Sequence, residues 1–272
     1  MASTSPTIPI ALTIAGTDPT SGAGIQADLK TFSAFGVYGA TVITALVAQN
    51  TQGVRAIHDV PPPFIAEQLT SVFDDLDVRA VKIGMLSQPA VIETVAASLD
   101  RYRQKTIVLD PVMVAASGDS LLAPEAVEAL RTILIPRALV ITPNMPEAAA
   151  LLDEPIAVDE ADMIRQAEAL LALGCRAVLL KGGHGQGAES VDILLEDGLS
   201  RFAARRVATK NTHGTGCTLS SAIAAGLAHG ETVRTSVKIA KAYITGAIRA
   251  SDDLHVGHGN GPVHHFHALW KA

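Results

Sequence analysis

The sequence predicts an α/β protein built in three layers, with a mostly parallel central sheet and helices on both of its faces. Short apolar runs of strand length alternate with segments of helical periodicity along most of the chain, which is the pattern of parallel βαβ units. No internal repeat, charge block or linker divides the 272 residues. We therefore expect one domain over residues 1–272, with residues 1–9 as a flexible N-terminal tail.

Composition and charge restrict the kind of partner. Hydrophobic residues make up 48% of the chain and charged residues 18%, which is typical of a compact globular protein. The net charge of −6 disfavours binding to nucleic acid or to an anionic membrane, because phosphate groups require a basic surface. No apolar run reaches the roughly 18 residues that a membrane-spanning helix needs. A small molecule is the expected partner.

The two cysteines, Cys175 and Cys217, give neither a disulfide framework nor the ligand spacing of a metal site. This cysteine usage suits the reducing cytoplasm, where we expect the protein to work. Residues 1–9 lack the basic start and the apolar core of a signal peptide, which agrees with that location. Cys175 directly precedes an apolar run, and we expect it in the core.

Strands are predicted where aliphatic and β-branched residues form short runs that end at glycine, proline or polar residues. These runs are residues 10–14, 42–48, 54–60, 80–84, 106–109, 138–141, 177–180, 191–195 and 202–208. The run over 54–60 is expected at a sheet edge or in a lid, and the last two runs should form a hairpin around Asp197-Gly198. Helices are predicted over residues 25–35, 64–77, 89–102, 122–134, 148–152, 217–229 and 231–250, with a further helix between Asp159 as its cap and Gly174 as its end.

Residues 209–221 contain a candidate anion-binding turn. Gly214 and Gly216 allow a tight turn directly before an apolar helix, and free amide groups at a helix start bind phosphate oxygens. Cys217 lies in this turn, where a helix N-terminus would lower the pKa of its thiol. The alternative is structural, because Gly-X-Gly turns before helices are common and a small cysteine beneath one often only fills space.

Polar residues follow several predicted strands, at the edge where open α/β sheets bind ligands. They are Gln49, Asp110, Asn144 with Glu147, and Lys181. Gln49 can equally be a turn residue, Asp110 can cap a helix or organise a metal, and Asn144 with Glu147 has the spacing of a capping box. The glycine-rich residues 21–24, after the first strand, can also wrap a substrate.

Together these motifs resemble the ribokinase-like small-molecule kinases and, within them, very closely the hydroxymethylpyrimidine/phosphomethylpyrimidine kinases of thiamine biosynthesis. The resemblance runs from about residue 10 to about residue 270 and implies the three-layer ribokinase-like fold. It rests on residues 15–19, 22–28, 82–85, 110–113, 142–144 with Glu147, 181–184, 210–217, 257–259 and 261–267.

The resemblance also implies roles for single residues. The residues that it implies for the aminopyrimidine substrate are Gly16, Asp28, Gln49, Met85 and Val112. Those implied for Mg²⁺ and its waters are Asp110, Asn144 and Glu147, and those implied for ATP are Lys181, Thr209 and Thr215. The implied catalytic set is Cys217 and Lys181, with Gly214 and Gly216 in the anion hole. Many members of the wider superfamily have Asp at the position of Cys217.

The implied reaction is the ATP- and Mg²⁺-dependent phosphorylation of 4-amino-5-hydroxymethyl-2-methylpyrimidine and then of its monophosphate, by a homodimer. Because phosphoryl transfer depends mainly on positioning and charge stabilisation, a thiolate at Cys217 would suffice as the base. The first alternative is a pyridoxal kinase, since pyridoxal also carries a hydroxymethyl group on a six-membered nitrogen ring. The second is a catalytically silent nucleotide-binding protein, which the presence of Asp110, Asn144, Glu147 and Cys217 disfavours.

Overall fold

The computed structural model describes residues 8–113, 122, 124–183, 185 and 187–270. Most of the predicted tail (residues 1–7) and His184 of the 181–184 motif lie outside these ranges. The strands are β1 (Ile10–Ala15), β2 (Tyr38–Ile43), β3 (Ala45–Asn50), β4 (Gly53–Asp59), β5 (Val78–Ile83), β6 (Ile107–Leu109), β7 (Val140–Ile141), β8 (Val178–Lys181), β9 (Glu189–Leu195) and β10 (Leu199–Arg205). The helices are α1 (Gly24–Ala34), α2 (Pro62–Phe73), α3 (Pro89–Arg101), α4 (Pro124–Ala129), α5 (Met145–Leu152), α6 (Glu160–Leu171), α7 (Thr215–Ala228) and α8 (Val233–Arg249).

The predicted mostly parallel sheet is confirmed. Within the described part, eight strands form one sheet in the order β10-β9-β8-β7-β6-β5-β1-β2. Neighbours from β2 to β8 are parallel, whereas β9 and β10 continue the sheet as the predicted antiparallel hairpin. The parallel strands therefore bring their carboxyl ends, and the polar residues that follow them, to one edge.

The predicted strand over 42–48 is wrong, because the structure divides this run at Thr44. β2 ends at Ile43 in the central sheet, and β3 begins at Ala45 and pairs only with β4 in a separate two-stranded sheet. Thr44 is buried at the division, and its hydroxyl donates to the Met85 carbonyl at 2.9 Å. Both halves are rich in strand-forming residues, so their composition gives no sign of the change of sheet.

The predicted helix over 122–134 is also corrected. In the described residues α4 ends at Ala129, and the chain continues as a π-helical turn (Leu130–Leu134) and a short 3₁₀ segment (Ile135–Arg137). Pro136 lies in that segment, where its ring and its missing N–H group prevent a regular helix from continuing.

Two apolar clusters lie on opposite faces of the sheet, so the predicted three layers are confirmed. On one face Leu12 and Ile14 of β1 pack with side chains of α2, α3, α5 and α6. On the other face Ala11 of β1 and Ala80 of β5 pack with α1, α7 and α8. The small alanine side chains allow the buried α7 to lie close to the sheet, with its first turn at the edge that carries the polar residues. Cys175 is buried in the core, as predicted.

No helix in the described ranges is long and apolar enough to cross a membrane.

Candidate active site

The turn before α7 has the backbone that the two glycines predict. Gly214 is the residue before the helix and has φ +77°, and a Cβ atom there would clash with the carbonyl oxygen of Gly22. A Cβ atom on Gly216 would lie 3.3 Å from Lys181 Nζ and 3.6 Å from Asp110 Oδ2. The first amides of a helix have no acceptor within the helix, so this turn presents N–H groups beside a lysine and a carboxylate.

Lys181 and Asp110 form the charged centre of this edge. Lys181 ends β8 and Asp110 follows β6, and Nζ donates to Oδ1 at 3.0 Å between two largely buried side chains. Thr142 also donates its hydroxyl to Asp110 Oδ1 at 3.0 Å. Burial alone would raise the pKa of Asp110, but the positive charges of Lys181 and Lys82 and these hydrogen bonds outweigh it and lower the pKa. Asp110 is thus held as a carboxylate.

Asn144 and Glu147 form the capping box that their spacing predicts. Glu147 N donates to Asn144 Oδ1 at 2.9 Å, and Asn144 N donates to Glu147 Oε2 at 2.8 Å. Burial raises the pKa of Glu147 to about 7, with Lys181 opposing the increase and the Asp110 carboxylate adding to it. Glu147 is therefore a second carboxylate in the same electrostatic cluster, available to a cation above neutral pH. Among the described residues, no group of three or more His, Cys, Asp or Glu side chains could hold a metal.

The predicted substrate residues Gly16, Met85 and Val112 come together from three separate loops. A Cβ atom on Gly16 would lie 2.7 Å from Met85 Cε, and Met85 packs in a small apolar cluster with Val47 and Val112. Gln49 is in β3 rather than in the turn, and its Nε2 donates to the Thr17 carbonyl at 3.2 Å. These residues line an apolar wall with one amide group at its side.

Asp28 does not reach the surface of this apolar wall, since its side chain is 0% exposed. Its carboxylate accepts hydrogen bonds from Thr13 Oγ1 at 2.6 Å, Ser221 Oγ at 2.6 Å and Lys82 Nζ at 2.9 and 3.0 Å. Asp28 thus forms a buried ion pair with Lys82, and its contact with the substrate stays a prediction. A lysine within the apolar run 80–84 is the sequence signal for such a pair, since buried charges need partners.

Thr209 and Thr215 are both held by their own neighbours. Thr209 Oγ1 donates to Asp252 Oδ1 at 2.5 Å, and Thr215 Oγ1 donates to the Thr212 carbonyl at 2.7 Å. Thr215 begins α7, beside the anion-binding turn. The roles of Thr209 and Thr215 with ATP stay predictions.

Asp18 and His213 connect the loop after β1 to the anion-binding turn. His213 Nε2 lies 2.7 Å from Asp18 Oδ2, and Asp18 also accepts from the backbone amides of Gly22 and Ala23 at 3.0 and 2.8 Å. Both side chains are buried. The sequence does not indicate this connection, because the two residues are 195 positions apart.

Cys217 lies in the first turn of α7 and is partly buried. Burial raises the pKa of its thiol to about 11; the nearby carboxylates of Asp28 and Asp110 act in the same direction, whereas Lys82 and the Gly24 amide act against it. The predicted lowering of this pKa by the helix start is thus wrong, because loss of solvation outweighs it. Cys217 is a thiol at neutral pH in this structure.

Comparisons with known proteins agree on one family. A family model described as phosphomethylpyrimidine kinase matches residues 18–264. The chain is 57% identical to the hydroxymethylpyrimidine/phosphomethylpyrimidine kinase of Salmonella typhimurium over 261 residues, which are 96% of this chain and 98% of that one. It is 51% identical to the thiamine biosynthesis bifunctional protein ThiED of Geobacter sulfurreducens over 255 residues, which are 93% of this chain and 51% of that protein.

The fold is also similar to that of a solved kinase with another substrate in its name. The pyridoxal kinase of Bacillus subtilis, solved as an ADP complex, superposes with a TM-score of 0.90 at 37% identity. The superposition covers 97% of this chain and 100% of that chain.

Proposed function

This chain belongs to the phosphomethylpyrimidine kinase family, and on that premise we propose that it phosphorylates 4-amino-5-hydroxymethyl-2-methylpyrimidine and then its monophosphate in thiamine biosynthesis. The phosphoryl donor is ATP. The observation that carries the proposal is the convergence of the anion-binding turn, the Lys181–Asp110 pair and the apolar wall at one edge of the sheet. Phosphoryl transfer needs these three parts, which bind phosphate, balance charge and orient the acceptor.

The residues of this edge fit a nucleotide phosphate and a divalent cation. Because Gly216 lacks a side chain, the space between the helix amides, Lys181 and Asp110 stays open as a cradle for an anion. The oxygen donors of Asp110 and Glu147 suit Mg²⁺, which usually binds one or two protein carboxylates together with water and substrate phosphates. When bound, Mg²⁺ supplies charge compensation for the phosphates.

The chain's own residues would then position the acceptor and accept its proton. Met85, Val47 and Val112 would pack against the ring, and Gln49 would turn its amide oxygen toward the 4-amino group, because its nitrogen already bonds Thr17. A new bond forms between the hydroxymethyl oxygen and the γ-phosphorus while the bond to ADP breaks. The hydroxyl proton goes to the deprotonated sulfur of Cys217, a form that becomes more abundant as the pH rises toward the thiol's pKa of about 11.

Lys181 and the turn from Gly214 to Cys217 would stabilise the transferred group. Their N–H donors are fixed by β8 and α7 before any ligand binds, so little reorganisation is needed. The Asp18–His213 connection would hold this turn against the loop of Gly16. The phosphate site and the ring site would then keep a fixed position relative to each other.

The proposed two-step activity is tested by following the phosphorus products. With purified protein, ATP, Mg²⁺ and the hydroxymethyl compound, ³¹P spectra should show the monophosphate first and the diphosphate later. Supplying the monophosphate alone should give the diphosphate directly. Release of inorganic phosphate without either product would overturn the proposal.

A pyridoxal kinase is the second candidate, and the superposition with the Bacillus subtilis enzyme favours it. The two substrates share the hydroxymethyl group but differ at the position of the 4-amino group. The amide oxygen of Gln49 would accept a hydrogen bond from that amino group. A substrate without that amino group would leave the Gln49 carbonyl unpaired in a largely apolar pocket, which costs binding energy.

We also propose a homodimer that works in the cytoplasm. One face of the two-stranded sheet carries the exposed cross-strand pairs Leu46–His58 and Ala48–Ala56, an apolar surface suited to a second copy. Both cysteines are free, as a reducing compartment would keep them. Light scattering should give the mass of a dimer for the parent and that of a monomer for Leu46→Glu, and a parent that stays monomeric would contradict the proposal.

A further inference from the structure

Lys82 and Asp28 form an ion pair with no exposure to solvent. Lys82 Nζ donates to both Asp28 oxygens at 2.9 and 3.0 Å, and each side chain is 0% exposed. Burying two charges costs so much solvation energy that well-packed apolar residues often stabilise a fold equally well. A pair this deep, next to a catalytic edge, therefore points to a role in the reaction.

The pair lies one helical turn below Cys217. At the top, Gly24 at the start of α1 lies next to Cys217 at the start of α7, and its backbone amide acts to lower the pKa of the thiol. Four residues later on both helices, Ser221 Oγ donates to Asp28 Oδ1 at 2.6 Å. Residues four apart lie on the same face of a helix, about one 5.4 Å turn apart. The contact between Ser221 and Asp28 therefore lies one turn below the contact between Gly24 and Cys217. Lys82 bonds to Asp28 at the lower of these two contacts.

Lys82 also reaches the catalytic edge directly. It is the last residue but one of β5, and its Nζ would lie 2.8 Å from a Cβ atom on Gly84, just past the carboxyl end of that strand. The ammonium group therefore lies below the site, between the carboxyl ends of the strands and the first turn of α7.

We propose that Lys82 is a positioning residue for Cys217, whose buried ammonium group stabilises the thiolate that accepts the proton of the substrate hydroxyl. Asp28 holds Lys82 in place and charged. The catalytic part of this inference rests on the role given to Cys217 in the proposed function, whereas the electrostatic part concerns the thiol alone.

Four charged groups face Cys217, from four different elements. They are Asp28 on α1, Lys82 on β5, Asp110 after β6 and Lys181 at the end of β8. Of the charges that act on the thiol, Lys82 has the largest effect and lowers its pKa, while Asp28 and Asp110 raise it by less. Burial alone would lower the pKa of Lys82 itself, but the negative charges of Asp28, Cys217 and Asp110 and the hydrogen bond to Asp28 together outweigh burial and raise the pKa, so the lysine stays charged. Removal of the pair as a whole should therefore raise the pKa of the thiol.

The test measures the reactivity of the thiol, which needs neither nucleotide nor metal. Iodoacetamide reacts with thiolate, and the chain has two cysteines, of which Cys175 is buried with a pKa raised to about 12 by burial. Alkylation of Cys217 is followed by mass spectrometry over a range of pH below its pKa. Cys217→Ser should remove the label, and Cys175→Ala should leave it.

Two variants remove the positive charge. We expect Lys82→Met to slow alkylation about tenfold at a given pH, since one pKa unit is a factor of ten in thiolate. Because this single substitution leaves Asp28 unpaired and can prevent folding, the double variant Lys82→Met with Asp28→Asn replaces the charged pair by a neutral one of similar size. It should fold and still react more slowly than the parent, because the effect of Lys82 on the thiol exceeds that of Asp28.

Thr13→Val is the matched control. It removes one hydrogen bond to Asp28 and keeps both charges and the side-chain shape, so alkylation should stay within about twofold of the parent. A folded double variant with the parental alkylation rate would overturn the proposal, and so would equal slowing in Thr13→Val. The turnover measurement separates the two claims: a low kcat with unchanged KM values in the double variant supports the catalytic part. A near-parental kcat in Cys217→Ala would remove Cys217 from the proposed function and leave the alkylation result intact.

Discussion

Lys181 Nζ lies 3.0 Å from Asp110 Oδ1, although the two residues are 71 positions apart and follow different strands. The contact exists because β6, β7 and β8 are parallel neighbours, which brings their carboxyl ends together. A cation and a carboxylate are thus preset beside the anion-binding turn before any ligand is present.

Lys181→Met should lower kcat by about 10² to 10³, the usual effect of removing one donor to a charge that develops in the transition state. KM for ATP should rise, while KM for the pyrimidine should stay within about twofold because the ring site is separate. Steady-state kinetics with each substrate varied in turn measure both. Lys105→Met, at an exposed lysine, is the control and should change nothing. Equal effects of Lys181→Met on both KM values would argue for a general loss of structure.

Glu147 should make the Mg²⁺ requirement depend on pH. Its pKa is raised to about 7, so the carboxylate is protonated below this value and ionised above it. At limiting Mg²⁺ the parent's activity should therefore rise as the pH passes through about 7, and Glu147→Gln should lose this step and need more Mg²⁺. Titration of activity with Mg²⁺ at several pH values measures the effect.

The same variant separates the metal role from the capping role. Gln keeps the capping-box acceptor and removes the cost of burying a charge, so Tm should not fall above neutral pH. A lower Tm with an unchanged Mg²⁺ dependence would show that Glu147 serves only to cap α5.

Cys217→Ala should lower kcat by about 10² to 10⁴ while ATP binding is retained, as expected for loss of a general base. A base acts in its deprotonated form, and burial raises the pKa of this thiol to about 11, so kcat/KM of the parent should rise with pH above neutrality. The Ala variant should lose this rise. Cys217→Asp should recover part of the activity at neutral pH, because a carboxylate ionises at much lower pH.

A structural role for Cys217 leads to the opposite order. Ala would fit the partly buried niche, whereas Asp would bury a charge and destabilise the turn. Comparison of kcat and Tm for both variants decides the matter, and an Ala variant with near-parental kcat would exclude Cys217 as the base.

Gln49→Leu should raise KM for the pyrimidine about 3- to 10-fold, which corresponds to the loss of one ordinary hydrogen bond. kcat should change less, because the reacting hydroxyl is held by other groups. Gln52→Leu, in the exposed turn between β3 and β4, is the matched control and should leave both constants unchanged. An unchanged KM in Gln49→Leu would mean that the Gln49 side chain only holds the Thr17 backbone in place and does not bind the substrate.

Much of this site could be predicted from the chain, because strand ends, glycines and helix starts leave local signals. The turn of Gly214 and Gly216, and the carboxyl-end positions of Asp110 and Lys181, follow from such signals and are found as expected. The division of the run 42–48 at Thr44 could not be predicted, because the choice between two sheets depends on partners distant in sequence.

Charge and burial account for the other differences. Helix-start chemistry predicts a low pKa for the Cys217 thiol, but the solvation that the fold removes depends on everything packed around it. The burial of Asp28 depends in the same way on Lys82, 54 residues away. Local sequence therefore indicates the candidate site residues, whereas the three-dimensional packing determines their protonation states and supporting contacts.

The apolar wall with Gln49 at its side should accept the aminopyrimidine rather than pyridoxal. The most direct measurement is kcat/KM of the parent protein for both compounds, under the same conditions with saturating ATP and Mg²⁺. We predict a preference for the pyrimidine of about 10²-fold or more, because pyridoxal leaves the Gln49 carbonyl without a partner in the pocket. Comparable kcat/KM values, or a preference for pyridoxal, would show that the site does not select the aminopyrimidine.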